Sequence, residues 1–272
     1  MAEFLGLVGL GLVVGAFGTL IGAGGGFLLV PALLLLYPND SPALVTGISL
    51  AVVFFNAGSG SFAYARMGRV DFRSGLMFAS ATIPGAVLGA MTTTVLPRRT
   101  FDLIFGALLT AGAAYLAWRP VRTGDDGLPA RVAGRFHRRI VERDGTVHDF
   151  AYSPALGIGI SVVVGFISSL LGIGGGIIHV PVLSQLLGFP VHIATATSHF
   201  TLAIMALAGS LVHVANGRLV PALAVIAPLA VGVLVGAQIG ARLSSRVHGV
   251  WIMRGLAVAL AFVGLRILLA AL

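Results

Sequence analysis

The chain has 272 residues, of which 57% are hydrophobic and 10% charged. Mean hydropathy is +1.02. Soluble domains carry about 25% charged residues, so most of this surface is expected to face lipid. There is no cysteine, which excludes disulfides, thiol chemistry and Cys-type zinc sites. All 17 basic residues are Arg, and seven of them fall between Arg119 and Arg143. The net charge of +8 reads as the basic side of a membrane protein, not as a nucleic-acid surface.

The N-terminus, MAEFLGLVGLGLVVGAFG, lacks a basic leader and reads as a first membrane helix, not a cleaved signal. A bilayer core needs about 20 apolar residues per helix. Such stretches occur at 43–65, 74–96, 100–118, 192–215, 219–242 and 248–270. Residues 4–37 and 154–188 are apolar for about 35 residues, too long for one helix at 1.5 Å per residue. Each is interrupted by glycines, at Gly22, Gly24, Gly25 and Gly26, and at Gly172, Gly174, Gly175 and Gly176. The half-helices that follow are expected to begin near Phe27 and Ile177.

The two interruptions belong to a repeat. LIGAGGGFLLVPALL (20–34) aligns with LLGIGGGIIHVPVLS (170–184) at an offset of 150. Ser49 aligns with Ser198 and Gly68-Arg69 with Gly217-Arg218 at 149, and Gly85-x-x-x-Gly89 with Gly232-x-x-x-Gly236 at 147. Ordered matches with so little drift indicate internal duplication. The expected organisation is a first transmembrane repeat at 1–119, a polar connection at 120–153 and a second repeat at 154–272. The fold class is an all-α polytopic membrane protein with two repeats. Within the connection, alternation around Asp144-Gly145 predicts a small β-hairpin with a two-residue turn.

If each interrupted segment turns back on itself, the repeats are inverted; if it crosses once, they are parallel. The first arrangement places 12 loop arginines on one side and 3 on the other, the second 11 and 4. Both put the connection in the cytoplasm. The short half-helices favour inversion, with both termini outside.

Non-helical backbone at membrane depth is tolerated only where protein covers it or where it lines a wet cavity. Paired broken segments mark the substrate site in many secondary transporters. Here each break precedes a helix whose first N–H groups are orphans at the positive end of its dipole. Gly24, Gly25, Gly26, Gly174, Gly175 and Gly176 therefore make a candidate anion cradle. The same glycines also suit close helix packing. Hydroxyls at Ser49, Thr197 and Ser198 can donate to a bound oxyanion or cap their helices. Asn56, His199 and Gln238 are candidates for selectivity or coupling. His179 and His199, ionisable and intramembrane, are the proton-coupling candidates.

Several chemistries are not expected. The glycine motif lacks a following Gly-Lys-Ser/Thr, so nucleotide hydrolysis is excluded. There is no His-x-x-x-His or His-Glu-x-x-His pairing for a metal and no convincing nucleophilic triad. An enzyme, a cofactor and a metal are thus not predicted. A homodimer is plausible from the GxxxG faces.

The segments GAFGTLIGAGGGFLLVPAL and GFISSLLGIGGGIIHVPVL, with the later GISL and ATSH and the closing Gly236 to Arg242, resemble the TauE/SafE-type sulfite exporter family. The resemblance covers nearly the whole chain outside 120–150. It implies a bacterial or archaeal inner-membrane permease that exports sulfite or organosulfonates. It carries a role onto Gly24, Gly25, Gly26, Gly174, Gly175, Gly176, Ser49 and Ser198. One departure is Ile48, where members often have Thr; symmetric substrate contacts would lose a hydroxyl there. An anion channel, an importer of another oxyanion or carboxylate, and an assembly factor using the hairpin are the alternative expectations.

Overall fold

The computed structural model describes residues 1–118 and 136–271. Residues 120–135 of the expected connection lie outside the described residues. The first repeat contains α1 (Ala2–Ile21), α2 (Gly26–Leu36), α3 (Pro42–Arg66), α4 (Phe72–Thr93) and α5 (Arg98–Trp118). A hairpin of β1 (Phe136–Val141) and β2 (Val147–Tyr152) follows. The second repeat contains α6 (Pro154–Leu171), α7 (Gly176–Pro181), α8 (Val191–Ala215), α9 (Leu223–Ser244) and α10 (Gly249–Ala271). Among the described residues, seven of these helices are long and apolar enough to cross a membrane.

The helices pair across the repeats, not within them. Helix α1 packs on α9 and its counterpart α6 on α4; α3 packs on α8 and α5 on α10. Small residues make these contacts close. A Cβ added at Gly232, Gly236 or Gly240 would lie within 2.3 Å of the carbonyl oxygen of Val8, Leu12 or Ala16. A Cβ at Gly85 or Gly89 would meet the carbonyls of Val162 and Phe166 at 2.1 and 2.2 Å. The GxxxG stretches are thus packing faces, because lipid offers no hydrophobic drive and helices associate through close contact.

The same contacts give directions. Numbers rise together in α1 and α9 and in α4 and α6, so these pairs run parallel. In α3 and α8 they run oppositely: Gly47 meets His213, Gly209 meets Leu50, and Gly60 meets His199. Helices α5 and α10 are also antiparallel, with Gly106 at Leu268 and Gly264 at Thr110. Ser59 of α3 donates to the Leu234 carbonyl and accepts from Gln238, and Arg66 lines one cavity with Arg242, so numbers rise together in α3 and α9. Tyr37, past the end of α2, donates to Glu3 at the start of α1 at 3.2 Å. Helix α2 therefore returns to the side where α1 began. In the second repeat, Gly157 near the start of α6 lies against Leu187, beyond α7.

Helix α7 departs from its counterpart. Instead of a continuous half-helix like α2, it gives way after Pro181 to a π-helical turn, Val182–Leu186. Ser184 donates to the Val180 carbonyl at 2.8 Å, and the Leu187 N–H reaches back to Val182. Proline lacks an N–H, and a serine hydroxyl competing for a backbone carbonyl widens the turn. The first repeat has Leu34 at the position of Ser184, and α2 stays regular around Pro31.

The predicted hairpin is present, in register Phe136↔Tyr152 through Val141↔Val147. Its turn is longer than expected. Arg143, Asp144 and Gly145 form a three-residue loop closed by Glu142 N–H to the Thr146 carbonyl, with Gly145 at φ 92°. A type I turn followed by a left-handed glycine gives this connection, and the Asp144 carboxylate accepts from the Thr146 N–H at 2.9 Å. That hydrogen bond holds the Asp144 carboxyl below its ordinary value. Phe150 and Tyr152 dock the hairpin on Phe78, Leu183, Leu187 and Phe189. Arg138 forks onto buried Asp71, the N-cap of α4, at 2.6 and 2.9 Å. Burial raises the Tyr152 phenol, whose oxygen shares a hydrogen bond with Ser74.

The glycine contacts predict a contrast. Gly236→Leu should lower the thermal stability of the detergent-solubilised protein, by about 1–3 kcal/mol for overpacking or more. Gly9→Leu, where a Cβ meets nothing within 4 Å, should leave the melting temperature unchanged. Equal melting temperatures for the two variants would contradict the α1–α9 contact.

Candidate substrate-binding site

Helix α1 stops because Gly22 turns left-handed at φ 81°, and the Ala23 N–H closes on the Gly18 carbonyl at 2.8 Å. This is the common glycine C-cap. Gly24 and Gly25 stay left-handed, at φ 76° and 81°, and Gly25 becomes the N-cap of α2. The second break repeats the sequence of conformations at Gly172, Gly174 and Gly175, with φ 69°, 81° and 79°. Two consecutive left-handed residues reverse the chain, and a side chain there would be strained.

The two breaks touch. A Cβ on Gly26 would lie 2.5 Å from the Gly172 carbonyl oxygen, and one on Gly176 would lie 2.2 Å from that of Gly22. Gly24 and Gly174 both abut Val53, the midpoint region of α3, and Gly24 also abuts Leu202, its counterpart on α8. Thr46 meets Gly172, and its counterpart Thr195 meets Gly22. The breaks therefore lie halfway along the two longest helices, and every residue from Ile21 to Phe27 and from Leu171 to Ile177 is buried.

Polar side chains frame the first break. Asn56 donates to the Gly24 carbonyl at 2.9 Å and accepts from the Thr19 hydroxyl at 3.1 Å. His199 Nε2 lies 3.1 Å from the same hydroxyl, and Tyr64 donates to the Thr19 carbonyl at 2.7 Å. Ser49 donates to the Gly172 carbonyl at 2.7 Å, so its hydroxyl holds the opposite break. His179 lies 3.3 Å from Ser161 and edge-on to Phe78.

Polar groups without partners gather here. The N–H groups of Gly26, Phe27, Gly176 and Ile177 find no acceptor among the described residues. The hydroxyls of Ser168, Thr195 and Ser198 are also buried without a partner. Ser168 lies beside Gly175. Buried polar groups are normally paired, so this concentration of free donors calls for an acceptor.

Two sequence candidates lie elsewhere. Gln238 donates to the carbonyl and hydroxyl of Ser59, tying α9 to α3 near their ends. The Thr197 hydroxyl accepts from the Asp71 N–H at 3.1 Å, beside the docked hairpin. Thr19, Tyr64 and Ser168 were not singled out from the sequence, although hydroxyl residues precede the glycines in both repeats, as GTLIG and SSLLG. Asp71 is buried beneath Arg138 through a contact across 67 positions, which no local pattern marks.

Two facing broken helices inside a bundle of spanning helices are the architecture of a membrane transporter. The chain belongs to the TauE/SafE sulfite exporter family, whose profile matches residues 7–267. Over 98% of this chain and 97% of the relative, it is 30% identical to a probable membrane transporter protein, YunE, of Bacillus subtilis. It is 27% identical to the probable membrane transporter protein MJ0441 of Methanocaldococcus jannaschii, over 71% of this chain and 65% of that one. A probable membrane transporter protein of Sinorhizobium, ORF9, is 29% identical over 66% and 60%. No solved structure matches the chain.

The frame predicts a stability effect. Asn56→Leu strands the Gly24 carbonyl and removes a partner of Thr19, and should cost about 1–3 kcal/mol. Thermal unfolding in detergent measures it; an unchanged midpoint would show that Asn56 does not hold the break.

Proposed function

We propose that this protein exports a small anion, sulfite or an organosulfonate, as a secondary transporter working by alternating access. The anion lies between the two glycine breaks. The observation that carries this reading is the meeting of the breaks, backbone against backbone, halfway along α3 and α8. Around that point N–H and hydroxyl donors lack partners among the described residues. An oxyanion supplies several acceptors at once, and the dipole ends of α2 and α7 favour its charge. The family's name supports the sulfite class.

Gly24, Gly25, Gly26, Gly174, Gly175 and Gly176 provide the backbone donors. Ser198 and Thr195 add hydroxyls, and Ser49 releases its own from Gly172 when the breaks separate. Asn56 and His199 set selectivity through Thr19, and His179 and His199 take up the coupling proton. Thr197 and Gln238 act at the hairpin side of the path, where they tie α8 to Asp71 and α9 to α3.

Rocking of one repeat against the other opens the site to each side in turn. The repeats lie inverted, with the connection 120–153 in the cytoplasm and both termini outside. The opposite runs of α3 and α8, and of α5 and α10, support inversion. So does Arg242, which lines one cavity with Arg66 and Arg143 instead of facing the other side.

Sulfite and organosulfonate flux in proteoliposomes, with and without a pH gradient, tests the reading. Ser198→Ala removes a hydroxyl without a partner, so it should leave stability within about 0.5 kcal/mol while lowering transport. Gly25→Leu and Gly175→Leu should abolish flux. Full activity in both would overturn the cradle, and no sulfur-anion flux by the wild type would overturn the substrate. The absence of native cysteine makes topology direct to test. Thr146→Cys should react with an impermeant thiol reagent in inside-out vesicles and not in spheroplasts; the reverse would place the hairpin outside.

A further inference from the structure

The hairpin turn borders a polar cavity. A cavity of about 380 Å³ lies between the hairpin turn and the ends of α3 and α9. Four arginines line it: Arg66, Arg69, Arg143 and Arg242. Against them stand the carboxylates of Glu142 and Asp144. Glu142 is already committed. One of its oxygens takes Arg69 Nε at 2.5 Å and the other takes His148 Nε2 at 2.9 Å. Asp144 accepts from the backbone of its own turn. The cationic side is therefore in excess.

Arg69 is the unusual member. Its side chain is only 9% exposed, yet its Nη1 has no hydrogen-bond partner. A buried guanidinium N–H left open costs more than an exposed one and is normally matched by an acceptor. Arg143 gives one Nη1 contact to the Arg66 carbonyl at 3.4 Å, too long to occupy it fully. Arg242 has no ion pair among the described residues. Planar guanidinium groups converging from three segments match an oxyanion, which accepts from several forks at once.

We infer that this cavity is a second oxyanion site, distinct from the glycine breaks, in which a sulfate- or phosphate-class anion bridges the hairpin to α3 and α9. Arg69 is the buried arginine of the site, and Arg143 and Arg242 close on the anion from the turn and from α9. The ligand is either a free anion or the phosphate of a lipid headgroup, since both present the same oxygens and the cavity lies where helices emerge from the apolar span. The site needs neither the breaks nor transport, so loss of flux in a break variant leaves it intact.

Hydrogen exchange read by mass spectrometry on the full chain in nanodiscs tests the site. In phosphatidylcholine nanodiscs, added sulfate should slow exchange at residues 142–147 and at the end of α9. The variant R143Q/R242Q should need about tenfold or more sulfate for the same protection. R139Q removes a charge from the outward face of the hairpin, and its sulfate midpoint should stay within about twofold of wild type. Protection by phosphatidylglycerol without sulfate would identify the headgroup as the source; protection by sulfate alone would identify a free anion. Unchanged exchange under both conditions, or equal responses of R143Q/R242Q and R139Q, would overturn the site.

Discussion

Gly26 lies against the carbonyl of Gly172, and Gly176 against that of Gly22, with no room for a side chain between them. Backbone meeting backbone at membrane depth is the constraint on which the rest depends. The reversals must be glycine because their φ is positive, and the neighbours must be glycine because the other break is there. Tyr37 beyond α2 then reaches Glu3 at the start of α1, and α3 and α8 run antiparallel across the middle. The unpaired N–H groups that this leaves are what a bound anion would satisfy.

A bundle in lipid gains little from burying one apolar side chain on another. Its specificity comes from close approach and from polar contacts. The α1–α9 and α4–α6 pairs supply the first, through glycines facing carbonyl oxygens. Thr93 supplies the second, donating to the Leu170 carbonyl at 2.7 Å from α4 to the end of α6. Asn56, Thr19, Tyr64 and His199 do the same around the first break. The second break is held differently, by Ser49 on the Gly172 carbonyl, and its equivalents of Thr19 and Asn56 are Ser169 and Met205. The pseudo-symmetric scaffold thus holds a chemically one-sided centre.

The hairpin ties this membrane bundle to a basic, solvent-facing surface. Phe150 and Tyr152 seat it on aromatic and aliphatic side chains from both repeats, and Arg138 neutralises Asp71, which is fully buried at the start of α4. Removing one partner of such a pair leaves a buried charge. Movement of the repeats against each other must therefore carry the hairpin or release it.

The repeat, the spans, the two breaks and the hairpin were all legible in the sequence. Each rests on local patterning: hydrophobic runs of spanning length, glycine clusters at matching offsets, and alternation around Asp144-Gly145. Helix ends were legible to within a few residues for the same reason. Tertiary structure alone decided which helices pair, because contacts across the repeats leave no mark within either one. It also decided that the breaks touch, that Thr19 joins Asn56 to His199, that Gln238 serves α3 instead of the breaks, and that Asp71 is buried beneath Arg138. These are meetings of residues separated by 37 to 180 positions. The π-turn after Pro181 and the third residue of the hairpin loop stand between the two cases. Both follow from local hydrogen bonds, of Ser184 and of Thr146, whose geometry a residue pattern does not specify.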